Sequence, residues 1–150
     1  MTNLNLFTQS PLGTEIKADE ILEAFSFLDD WEERYSYIIE LGNKHPPFPD
    51  SEKTEANLVH GCQSQVWLLH HYDTASNRIY FLIESDAMIV RGLAAIILTL
   101  LNTKSPQELA TIDVENVFGE LDLFRHISPT RGNGLRAMLK KIKNLATSLE

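Results

Sequence analysis

The chain has one cysteine, Cys62, set in the stretch HGCQSQVWLL over residues 60–69. Gly61 precedes it and suits a tight turn, because it allows backbone angles a side chain would forbid. Gln63, Ser64 and Gln65 follow, and a strand-like run opens with Val66 and Trp67. A free cysteine is among the most buried residue types and commonly fills space. This one falls in a polar turn entering a strand, not on the apolar face of an element. Loops carried on rigid scaffolds are where chemistry usually sits.

Three kinds of chemistry could use one thiol. A zinc or iron–sulfur site needs several further ligands. The histidines are His45, His60, His70, His71 and His126, and no C-x-x-C or H-x-x-x-H spacing occurs. His60 and Cys62 could share a metal, but the rest of a ligand set is missing. His70 and His71 point to opposite faces of a strand and cannot act as a pair. A cysteine hydrolase needs a base, for which His126 is the candidate. Sulfur relay needs least. A thiolate attacks the outer sulfur of a persulfide on another protein and carries that sulfur away, the displacement of thiol–disulfide exchange. A second thiol nearby would resolve the persulfide to a disulfide and lose the sulfur, so a single cysteine on an exposable tip suits the task.

The chain around this loop has 150 residues, enough for one domain with a core that needs no disulfide or metal. Its 43% apolar and 23% charged residues are those of an ordinary globular protein rather than a disordered tail. The net charge of −8 argues against nucleic-acid binding, which draws affinity from Lys and Arg on phosphates. Lys140, Lys141 and Lys143 are the best basic patch and read as the solvated face of a last helix. The N-terminus lacks a basic start followed by an apolar run, so it does not read as a secretory signal. GLAAIILTLL is too short for a membrane span of about 20 residues. With one cysteine and no internal disulfide, the expected location is cytoplasmic.

Residues 1–17 read as an extended N-terminal arm. A helix fits 18–28, with Ile21, Leu22, Phe25 and Leu28 on one face. A second starts at DDWEER, with Asp30 as N-cap, Glu33 at capping-box spacing and Gly42 as a stop. The two are expected to form an antiparallel hairpin. The prolines of NKHPPFPD make a loop, and SEKTEANL a short helical piece capped by Ser51. Residues 65–73 and 78–84 read as strands of an antiparallel hairpin, with a weaker third strand before Gly61. SDAMIVRGLAAIILTLLN is a helix apolar almost all round from Met88 on, capped by Ser85 or Asp86, and therefore buried. SPQELATI carries a capping box from Ser105 to Glu108, DVENVF is capped by Asp113, and a last helix spans 131–148. Helices, then strands, then helices give an α+β class, with helices on one face of a small antiparallel sheet.

GCQSQVWL at 61–68, SDAMIVRGL at 85–93, SPTRGNGL at 128–135 and WEERYSYIIELG at 31–42 together resemble the SufE family of sulfur acceptors, in the family's order over most of the chain. The arm with SPLG looks more like the CsdE branch. Ile127 replaces the family's leucine, and Gly132 with Gly134 should loosen the helix start by roughly 0.5–1 kcal/mol each relative to alanine. The resemblance implies one SufE/IscU-like domain over 1–150. It implies a persulfide carrier, Cys62, that takes sulfur from a PLP-dependent cysteine desulfurase of the SufS or CsdA type. Such a protein stimulates the desulfurase and passes the sulfur to a downstream acceptor or cluster scaffold for iron–sulfur cluster assembly. It needs no cofactor of its own, since PLP belongs to the partner, and no nucleic acid or membrane. Gly61, Gln63, Ser64 and Gln65 would shape the loop. Asp86 would lie near it, or serve only as a helix cap. Arg131 would lie near it and stabilise sulfur charge or pair with the desulfurase, or make only a salt bridge at a helix start. His60 is outside the motif; protonated, it would favour the Cys62 thiolate. Two alternatives remain: a binding module that activates a desulfurase without carrying sulfur, and a hydrolase using Cys62 and His126.

Overall fold

The structure, a computed structural model, describes residues 4–61 and 64–149. Its centre is a hairpin of β1 (Val66–Asp73) and β2 (Arg78–Ser85), antiparallel, with Val66 opposite Ser85 and Asp73 opposite Arg78. Alternation sends Val66, Leu68, Ile79, Phe81 and Ile83 to one face and Leu69 and Leu82 to the other. The expected third strand amounts to an isolated bridge, Leu58 to Trp67.

The first face carries the main core. Helix α4 (Met88–Leu101) lies against it, with Leu93, Ile96, Ile97 and Leu101 fully buried. Met88, expected in its apolar stripe, is 60% exposed. Helix α3 (Trp31–Gly42) crosses α4 at two glycines. A Cβ on Gly92 would lie 2.1 Å from the Ile38 carbonyl oxygen, and one on Gly42 would lie 2.9 Å from the Gly92 nitrogen. Gly42 is thus a packing residue as much as a stop; the residue after it, Asn43, keeps right-handed angles. Asp30 caps α3 as expected, accepting from the Glu33 amide. Helix α2 (Ala18–Phe27) is tied to α3 by Arg34, which donates to the carbonyls of Phe25 and Leu28.

The second face is covered too, and this corrects two expectations. The arm over residues 1–17 is not extended throughout. Residues Leu4–Thr8 form a short helix, α1, and Phe7 packs with Phe48, Leu69 and Leu82. The sheet therefore has cover on both sides. The physical reason is nonlocal: burying an aromatic side chain such as Phe7 is worth about 1.5–3 kcal/mol, which orders a segment with little propensity of its own. Asn102, fully buried, donates to the Leu12 carbonyl and accepts from the Phe81 amide, joining arm, α4 end and sheet.

The region after α3 holds two 3₁₀ turns, Asp50–Glu52 and Glu55–Asn57, rather than one helical piece capped by Ser51. His45 is buried, its Nε2 2.8 Å from the Arg91 carbonyl and its Nδ1 without a partner among the described residues. Burial holds its pKa below the usual histidine value. Beyond α4 come α5 (Pro106–Thr111), α6 (Val114–Glu120) and α7 (Leu123–His126). The capping box of Ser105 and Glu108 and the Asp113 cap are both present. The last helix, α8 (Pro129–Leu149), begins before the expected residue 131, because Ser128 accepts from the Arg131 amide and Pro129 fits a first helical position. Leu135, Met138, Leu139 and Ile142 of this helix are buried. No described helix is long and apolar enough to cross a membrane.

Candidate functional site

The loop that bears Cys62 stands on two clamped feet. The Val59 amide donates to the Val66 carbonyl at 2.8 Å, beside the Leu58–Trp67 bridge. Both feet are buried. The chain thus leaves the end of the sheet after Val59 and is back on it at Val66. Cys62 and Gln63 themselves lie outside the described residues. Gly61 has φ +96°, a left-handed value that disfavours side chains, and an added Cβ would sit 3.3 Å from Ala137 Cβ on α8.

The return limb of the loop is held by Asp86. Its Oδ1 accepts from the Gln65 amide at 3.2 Å, and its own amide donates to the Gln65 carbonyl at 3.4 Å. The register explains the pairing: Gln65 precedes Val66 as Asp86 follows Ser85, and those two are partners in the ladder. Neither proposed cap of α4 serves in the expected way. The position before the helix is Ala87, with no side-chain cap, and Ser85 Oγ accepts from the Ala87 amide. Of the two roles considered for Asp86, the structure displays the contact to the cysteine loop.

Ser64 lines a cavity of about 60 Å³ together with Val90 and Leu93 of α4 and Thr130, Arg131, Gly134, Leu135 and Met138 of α8. That volume exceeds the roughly 10–15 Å³ needed for one water-sized atom. Its lining mixes the apolar Val90, Leu93, Leu135 and Met138 with the polar Ser64 and Thr130 and the cationic Arg131. Among the described residues no carboxylate pairs with the exposed Arg131 side chain, so the simple salt-bridge role is not what the structure displays. Gly132 sits near the Phe124 ring, 3.5 Å from where a Cβ would be, which gives that glycine a snug but tolerant site.

Three elements therefore bring Gly61, Ser64, Gln65, Asp86 and Arg131 around one loop. Val90, Leu93 and Met138 as cavity walls were missed, because a helical stripe marks them only as core. Thr130 was missed because nothing local distinguishes it. His60 is exposed and pairs with Glu55 at 3.3 Å. His126 is engaged elsewhere: it stacks on Trp31 at 4.0 Å, approaches Asp122 Oδ2 at 3.4 Å, and its carbonyl accepts from the Tyr35 hydroxyl. It does not line the cavity under the loop. Among the described residues no three His, Cys, Asp or Glu side chains gather as a metal site would require.

Residues 19–146 match the SufE family model, described as a Fe-S metabolism associated domain. An uncharacterized SufE-like protein of Rhizobium meliloti (strain 1021) is 46% identical over 130 residues, covering 85% of this chain and 93% of the relative. A second, from Rhizobium etli, is 44% identical over 130 residues, covering 85% and 88%. The solution structure of a hypothetical protein from Thermus thermophilus shares the fold, with a TM-score of 0.70 at 22% identity over 87% of this chain and 93% of that one.

Proposed function

The chain belongs to the SufE family, associated with iron–sulfur metabolism, and from that premise we propose that Cys62 is a sulfur carrier. Its donor is a PLP-dependent cysteine desulfurase of the SufS or CsdA type. The Cys62 thiolate attacks the outer sulfur of the donor's cysteine persulfide. One S–S bond forms as another breaks, and the donor cysteine leaves as a thiolate. No oxidant or reductant is consumed, and the sulfur remains at the sulfane level. The persulfide is then attacked in the same way by a downstream acceptor, which supplies iron–sulfur cluster assembly.

The observation that carries this reading is the clamped loop beside a small cavity whose lining includes Arg131. Fixed feet hold both ends of the cysteine-bearing segment at one end of the sheet. A guanidinium near the loop favours the anionic thiolate and persulfide. The hydrogen bond from the Gln65 amide to Asp86 holds the described return limb of the segment.

Cys62→Ser tests the reading through desulfurase turnover. A carrier loses its stimulation of the desulfurase in this variant, because the enzyme's persulfide is no longer cleared. Full stimulation by Cys62→Ser would overturn the carrier role in favour of a regulatory module.

A further inference from the structure

Beside the sulfur loop runs an open groove of about 410 Å³, lined by Leu58, Val59, Ala137, Lys140, Lys141 and Leu145. We propose that it holds the sulfur-donating protein by an acidic segment that carries an apolar side chain. The proposal rests on the carrier reading above.

The charge pattern selects the occupant. The chain has 21 acidic against 13 basic residues, so an acidic surface is repelled by most of this molecule. Here the balance inverts. Lys140 is exposed, and among the described residues no carboxylate pairs with it. Lys141 Nζ donates to the Leu58 carbonyl at 3.3 Å, which fixes its charge over the groove wall without neutralising it. His60 lies on the same rim, beside Glu55. Lys143, in the same basic run, is drawn away to the carbonyls of Leu109 and Ile112. The floor between the lysines is apolar, and a polar rim around an apolar floor is the usual form of a docking patch.

Position makes the occupant the donor. Ala137 and His60 both line this groove, and a Cβ added to Gly61 would lie 3.3 Å from Ala137 Cβ. A segment in the groove therefore lies alongside the loop bearing Cys62. Such a hold keeps two cysteines together for the displacement, and the lysine pair steers an acidic partner to the sulfur loop.

The test uses the full chain with a purified SufS-type desulfurase, and in parallel a CsdA-type one, each with free cysteine. Lys140→Glu and the double variant K140E/K141E are compared with wild type after melting curves show folding; the single variant leaves the Lys141 to Leu58 contact in place. Expected is a Kd for the donor weaker by about fivefold to tenfold, with a smaller dependence on salt, and loading of Cys62 restored at saturating donor. An unchanged Kd with normal wild-type loading overturns the groove and leaves the carrier reading standing. Normal loading with slowed discharge to an acceptor overturns the donor as occupant, as does loss of a wild-type dimer with unchanged donor binding. A wild type that neither desulfurase loads overturns both readings.

Discussion

Gly92→Ala is expected to destabilise the protein and disturb the sulfur loop together. The new methyl would sit 2.1 Å from the Ile38 carbonyl oxygen and 2.6 Å from Ile38 Cγ2. The carbonyl belongs to the α3 backbone and cannot rotate aside, so α3 and α4 must separate by about 1 Å to restore van der Waals contact. Overpacking of this kind costs about 1–3 kcal/mol, and backbone against backbone belongs at its upper end. Alanine returns up to about 1 kcal/mol in helix propensity. The net expectation is a loss of about 2 kcal/mol, a fall of roughly 4–8 °C in Tm for a chain of this size. Val90 and Leu93, on the same helix, line the cavity beneath the loop and would move with it. Thermal unfolding followed by circular dichroism measures the first effect, and the rate of sulfur loading onto Cys62 the second. Gly119→Ala is the control. Gly119 is exposed in α6 with nothing within 4 Å of an added Cβ, so that variant should gain about 0.4–1 kcal/mol. Equal Tm values for the two variants would refute the reading of the helix crossing.

Asp86→Ala removes the acceptor of the Gln65 amide at an exposed site. With solvent screening the loss is about 0.5–1 kcal/mol, so Gln65 amide exchange should rise about two- to fivefold; unchanged exchange contradicts the clamp. Gly61→Ala places a side chain at φ +96° and should cost about 1–2 kcal/mol in denaturant unfolding. His45 sets a pH dependence. Its folded pKa lies below the unfolded value of about 6.5. The unfolded chain thus binds the proton first. Stability is fully present above about pH 6.5, falls as pH drops toward the folded pKa, and levels off below it. His45→Gln should flatten that acid limb in urea titrations at several pH values, and an identical limb in the variant contradicts the assignment.

Much of this fold is legible in the sequence where the determining forces are local. Asp30 with Glu33, Ser105 with Glu108, and Asp113 with Asn116 are contacts within one turn, and each cap is realised. The hairpin is legible because alternation and a short polar link fix its register. What escapes is set by residues distant in sequence. Phe7 has no period to announce it, yet it closes the second face of the sheet. Gly42 satisfies a rule for helix ends, while its stronger reason is Gly92, fifty residues on. Asp86 reads equally as a cap or a loop contact, since both need one carboxylate at that position, and only the pairing of Val66 with Ser85 decides. At the site, Cys62 stands out by being single and Arg131 by its motif. The cavity walls read as ordinary core, because a stripe position does not reveal which end of a helix faces a void.

Sulfur on Cys62 is most directly tested by intact-mass spectrometry after the chain is mixed with a SufS- or CsdA-type desulfurase and free cysteine. Expected is a gain of one sulfur atom that reductant removes and that Cys62→Ser does not acquire. An unchanged mass with desulfurases of both types, or the same gain in Cys62→Ser, would contradict the carrier role.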